Sequence, residues 1–267
     1  MLRLFSLILI FNYSLLFSQV EQEVTSIAYL HSYKLTDASE SYRQVNMNLQ
    51  IFGNESSFQS YNQRVLDTLI RDKQAVDADI SRLTTDLKYH IYINGKSAVF
   101  TDRFTSAEYQ YVEKLDYEWE LLDGQKIIKG FKCYKARIFY DGREWVAWYT
   151  PEIPLNAGPY KFKGLPGLIM RVADKDELFI YEYAASKMRN KTDLKKFFYV
   201  YGFDNLVKVE KDLYLKTRKL YKNLSSDEQL NFNRKGGKLI RIGEENRMRR
   251  KFIEKPNHIF PEIDKVK

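Results

Sequence analysis

The sequence predicts a mainly β protein: a strongly curved antiparallel sheet or open β-barrel-like domain with one inserted helix and a helical C-terminal extension. Three observations lead there. Aromatic residues make up 15% of the 267 residues, with 20 Tyr and 17 Phe, and flat side chains pack well on pleated surfaces. Three Asn-Gly or Asp-Gly pairs sit between apolar runs, the strongest short-range hairpin signal. Several strand-like runs are apolar on both faces, which suits a sheet curled around a core and covered outside.

The elements follow in order. "MLRLFSLILIFNYSLLFSQ" has a basic Arg3, an apolar run from Leu4 to Phe17 and a small Ser18, the pattern of a secretory signal over residues 1–18. "VTSIAYLHSYKL" is a strand. In "QVNMNLQIFG", Val45, Met47, Leu49 and Ile51 alternate with polar partners, a half-buried strand ended by Gly53-Asn54. From Gln63 to Leu83 the apolar spacing changes to three and four, predicting one amphipathic helix. Hairpins are then expected at Asn94-Gly95, Asp123-Gly124 and Asp141-Gly142, and another in "LIMRVADKDELFIYEYAASK" with Asp174 to Asp176 near its turn.

Beyond Ser186 strand character fades. Leu206, Val209, Leu213 and Leu220 suggest a helical stripe, Ser225 and Glu228 a capping box, and Gly236-Gly237 a break. The expected organisation is a signal over 1–18, a β domain over 19–186 and a basic, partly helical extension over 187–267. That last stretch holds 22 Lys+Arg against 11 Asp+Glu, and the rest of the chain 21 against 24. The extension therefore carries +11 and the rest −3 of the net +8, and its charge suits a solvated helical surface or peripheral contact with a membrane surface or an acidic partner.

Chemistry is sparse. Cys133 is the single cysteine, so no intrachain disulfide forms, and a buried, inert thiol is expected. His31, His90 and His258 lie in separate segments without metal-ligand spacing, and no nucleophile elbow or phosphate loop is present. No catalytic residue, metal or cofactor is assigned. Nucleic acid is excluded as a partner because basic residues do not interleave with the aromatic cluster. Glu118, Glu120, Glu144 and Glu152 stand among aromatics, so carboxylate chemistry on a carbohydrate stays open as an alternative.

The densest signal is "GPYKFKGLPGLIMRV", residues 158–172, which puts three of 12 Gly and two of 6 Pro into ten residues. Pro166 and Gly167 suit a type II turn, and Leu165, Leu168 and Ile169 are too apolar for a free loop. Two readings are open: a plug that completes the core, or the rim of a binding groove. Candidate binding residues are Arg143, Trp145, Trp148, Tyr149, Tyr160, Gly164, Leu165, Pro166, Gly167 and Leu168.

Residues 130–172 resemble the signature of the GLPGLI family of bacterial exported proteins. The hexapeptide stands complete at Gly164 to Ile169, preceded by Gly142-Arg143, Trp145, Ala147-Trp148-Tyr149-Thr150, Glu152-Ile153-Pro154 and Gly158-Pro159. The resemblance implies a mainly β protein of a Gram-negative envelope, periplasmic or outer-membrane-associated. It brings no reaction, cofactor or site residue with it. The function expected is a non-enzymatic envelope binding or accessory protein for an apolar or amphipathic ligand or an outer-membrane protein. The alternatives are a carboxylate-dependent envelope hydrolase and a structural protein docked through its basic tail.

Overall fold

The computed structural model describes residues 24–35, 39–105, 107–189 and 206–234. The expected signal, Gly236-Gly237 and the remaining tail lie outside them. Among the described residues twelve strands form one sheet: β1 (Val24–Tyr33), β2 (Arg43–Phe52), β3 (Glu55–Ser60), β4 (His90–Asn94), β5 (Ser97–Arg103), β6 (Glu108–Lys114), β7 (Glu120–Ile128), β8 (Phe131–Tyr140), β9 (Arg143–Thr150), β10 (Leu168–Asp174), β11 (Phe179–Arg189) and β12 (Leu206–Lys208). Their order is β12-β6-β5-β4-β3-β2-β1-β11-β10-β9-β8-β7. The sheet is two antiparallel meanders joined at β1, with β12 parallel to β6 at one edge.

The two edges do not pair, so the curled sheet stays open. Its inner face is built by period-two alternation. Ile27, Leu49, Phe58, Ile91, Phe100 and Tyr111 are directly paired from strand to strand and are all buried. A second row runs Ala136, Ala147, Val172, Tyr181, His31.

Local chemistry explains most departures from the sequence reading. The span Gln63–Leu83 is two helices, α1 (Tyr61–Arg71) and α2 (Asp77–Leu83), not one. The Ser60 hydroxyl caps α1 by accepting from the Gln63 amide. At the other end the Gln74 amide reaches the Leu69 carbonyl and Lys73 takes φ +55. That is a Schellman ending, which periodicity alone does not reveal.

The hairpin expected at Asp123-Gly124 turns instead at Lys129-Gly130, whose φ values of +52 and +87 give the twist a two-residue turn needs. Gly124 sits in a bulge of β7 with φ +132, under the Trp148 ring. At β4–β5 the turn lies one residue on, at Gly95-Lys96, because Asn94 pairs with Ser97. Asp141-Gly142 turns where expected, with both residues at positive φ.

Two further helices follow, α3 (Lys211–Lys222) and α4 (Ser226–Arg234). The predicted stripe is corrected here: Leu206 lies in β12, Leu213 is exposed, and α3 buries Tyr214, Leu215 and Thr217. The capping box is present, with Glu228 accepting from the Ser225 amide at 2.9 Å. None of the described helices is long and apolar enough to cross a membrane.

Candidate functional site

The GLPGLI segment enters the open sheet rather than rimming it. Tyr160, Phe162, Leu165, Leu168 and Ile169 are all buried. The expected type II turn is replaced by a tighter one, in which the Gly167 amide donates to the Leu165 carbonyl and the Leu168 amide turns to Ile153. Gly167 still needs to be glycine. Its φ is +146, and a Cβ there would lie 2.1 Å from the Thr150 carbonyl oxygen.

At Pro159–Phe162 the chain turns with Tyr160 at φ +56, a strained conformation for a bulky residue. The strain is held by packing, since the Tyr160 ring lies parallel to Tyr181 and edge-on to Tyr89. The same turn aims Lys161 inward. Its side chain is fully buried, with Nζ 2.9 Å from the Tyr111 hydroxyl and 2.9 Å from Glu113. The rings of Tyr160, Phe100 and Tyr111 stand 4.9, 5.1 and 5.2 Å from it.

Beside this ammonium is a cavity of about 420 Å³, within the size range of small-molecule sites. Its floor is aromatic: His31 and Tyr33 from β1, Tyr89 before β4, Phe100 from β5, Phe179 from β11 and Tyr160 from the loop. Its cover is α3, through Tyr214, Leu215, Arg218 and Tyr221. Three anchors hold that helix down. The Tyr214 hydroxyl donates to Asp102 at 2.7 Å, Arg218 pairs with the same carboxylate, and Lys211 reaches Asp141 at 2.6 Å and Glu113 at 2.9 Å. Part of the C-terminal basicity thus neutralises carboxylates of the β domain.

The site is poor in acid–base groups. Burial pushes the His31 imidazole down to about 4. Its Nδ1 faces the Ile180 carbonyl at 3.1 Å and its ring stacks on Tyr181 at 4.0 Å, so a neutral, wall-forming histidine stands there. Asp86 is the one carboxylate lining the cavity among the described residues, and it is paired with Arg43 at 2.7 Å. Behind the wall, burial pushes Glu108 up to about 7 against the pull of Arg103, but Glu108 is itself covered by protein.

Of the ten sequence-named binding residues, Tyr160 alone lines the cavity. Arg143 is buried in an ion pair with Asp174 at 2.8 Å, over the Phe179 ring. Trp145 is core, donating from its indole nitrogen to the Tyr140 carbonyl. Trp148 points the other way, beneath Lys126 on the outer face, and Tyr149 packs with Tyr134. Leu165, Gly167 and Leu168 are buried, while Gly164 and Pro166 face solvent.

The tryptophans are therefore not brought together. Glu118, Glu120 and Glu152 are exposed, Glu120 paired with Arg137 and Glu152 accepting from the Lys132 amide. Cys133 is buried, and burial pushes its thiol up. No group of three potential metal-ligating residues occurs among the described residues.

Residues 140–171 match a family model. Its description is "Protein of unknown function (Porph_ging)", and the match spans the β8–β9 turn, β9, the GLPGLI loop and most of β10. No curated protein matches the chain. Two crystal forms of PNGF-II resemble it at 14% and 13% identity, with TM-scores of 0.48 and 0.49. Each covers 73% of this chain, which in turn spans only 32% of the PNGF-II chain. An uncharacterized conserved protein from Thermus thermophilus is similar at 9% identity, with a TM-score of 0.38, over 71% of this chain and 92% of that one.

Sequence reasoning missed most of the cavity. One signal was readable: Tyr214, Arg218, Tyr221 and Lys222 fall at i, i+4, i+7 and i+8, a single helical face. The other walls come from β1, β5 and β11, whose approach depends on how the sheet curls.

Proposed function

We propose that the protein is an exported, non-enzymatic binding protein of the cell envelope that holds a small apolar or amphipathic molecule between its curled sheet and α3. The observation that carries this reading is the aromatic cavity of about 420 Å³. Concave, mainly apolar sites with a few polar groups at the edge are the usual form of small-molecule sites. The secretory pattern of residues 1–18 and the resemblance of residues 130–172 to an exported family support the location.

The test is uptake of a solvatochromic apolar dye such as Nile red. Saturable, one-to-one uptake that is lost in Leu87→Trp is expected, since Leu87 is a half-buried residue of the cavity wall. No saturable uptake would replace this reading with one in which the protein acts through a protein partner.

A further inference from the structure

We infer that the molecule held in this cavity is an amphiphile with an anionic head. The inference rests on the binding reading above and adds the charge of the ligand.

Depth sorts the lining by chemistry. The floor rings of His31, Phe100, Tyr160 and Phe179 are all buried. Toward the mouth the lining turns basic, with Lys88 exposed and Arg218 and Lys222 half-buried. The charges do not cancel there. Asp86 is taken up by Arg43, and Arg218 by Asp102. Lys88 makes no ion pair among the described residues, so its charge is left for a ligand.

The end of α3 is nearby, and a helix C-terminus repels anions. Here Gln229 softens that effect, its amide donating to the carbonyls of Tyr221 and Leu224 at 3.1 and 3.2 Å.

An aromatic floor could also hold a cation, by the attraction of ring faces for positive charge. That place is taken. The Lys161 ammonium already lies 4.9 Å from the Tyr160 ring and 5.1 Å from the Phe100 ring, and both rings also line the cavity. A second cation would find those ring faces already occupied and would meet the unpaired charge of Lys88 at the mouth. An apolar body on the rings brings no charge toward Lys161, and an anionic head at the mouth meets the opposite charge of Lys88.

The experiment compares amphiphiles sharing a dodecyl tail, in monomeric solution, by titration calorimetry. Dodecanoate is expected to bind roughly 2- to 5-fold tighter than dodecyl maltoside, the range of one screened ion pair. It should also bind tighter than dodecyltrimethylammonium, with a preference that shrinks as salt rises and is lost in Lys88→Glu.

Equal affinity for the three heads would overturn the anionic inference while leaving the cavity as a binding site. Failure of all three, together with Nile red, would overturn both. Phosphatidylglycerol vesicles form the last arm. Binding to them without uptake of monomeric dodecanoate would place anion recognition on the surface and overturn the inference too.

Discussion

The fully buried Lys161 ammonium lies 2.9 Å from the partly buried Glu113 carboxylate, and the pair ties the GLPGLI loop to β6. Lys211 of α3 approaches the same carboxylate at 2.9 Å, and Tyr140 of β8 donates to it at 2.8 Å. One carboxylate therefore joins loop, helix and both meanders, bridging the open sheet where hydrogen-bonded strands do not. Burial pushes Glu113 up, but the two ammonium groups outweigh it and hold the carboxyl below its usual value.

The two partners should differ in cost. Glu113→Ala strands the buried Lys161 charge and is expected to destabilise by about 3–5 kcal/mol. Lys161→Met leaves Glu113 paired with Lys211 and should cost clearly less. Urea unfolding of both variants checks the order, and equal losses would contradict the shared-carboxylate account.

Gly167→Ala should be severe for a steric reason. Its Cβ would lie within 2.1 Å of the Thr150 carbonyl oxygen and 2.5 Å of its carbon. Gly95→Ala, with φ +58 and nothing within 4 Å, carries only the left-handed penalty of about 1–2 kcal/mol. Thermal melts of the two variants should separate widely, and similar melting temperatures would remove the close-approach argument.

Lys129→Asn should stabilise. Position 129 has φ +52 in a two-residue turn, and asparagine accepts that conformation more readily than lysine. A gain of up to about 1 kcal/mol, part of the left-handed penalty that asparagine escapes, is expected from the urea midpoint, and a loss would mean that the turn does not hold that geometry.

Acid should destabilise the fold between about pH 6.5 and 4. Burial lowers His31 to about 4 and His90 to about 3 from 6.5. Across that window the unfolded chain takes up protons that the folded one refuses, so stability falls as pH falls. Glu108 works the other way. Its folded carboxyl, raised to about 7, binds a proton before the unfolded one does and adds stability on acidification. Burial also raises Asp67 and Asp174, which add to this toward the acid end of the window, so the histidine effect is read between pH 7 and 5. The stability loss from pH 7 to 5 should be smaller in His31→Phe, which keeps a ring on Tyr181; an unchanged loss would contradict the assignment.

Strands were legible wherever alternation was local. Met47, Leu49 and Ile51 announced one buried face of β2, though Asn48 and Gln50 on the other face are buried as well, and Asp141-Gly142 announced the turn between β8 and β9. Lys129-Gly130 escaped notice because lysine is no turn residue by propensity, and Asp123-Gly124 drew attention to what is a bulge. The GLPGLI loop was visible as rigid and apolar, and its burial followed from that. Its most consequential residue, Lys161, looked like ordinary polar punctuation, because its partner Glu113 is 48 residues away. The cavity was hidden for the same reason. His31 and Phe179 meet only when β1 and β11 pair, and α3 joins them across the sheet.

The most direct measurement is native mass spectrometry of the protein purified gently from the cells that make it, beside Leu87→Trp prepared the same way. The account predicts a reproducible added mass on the natural chain, released on activation, and none on the variant. A bare polypeptide in both, or the same adduct on both, would contradict a ligand held beneath α3.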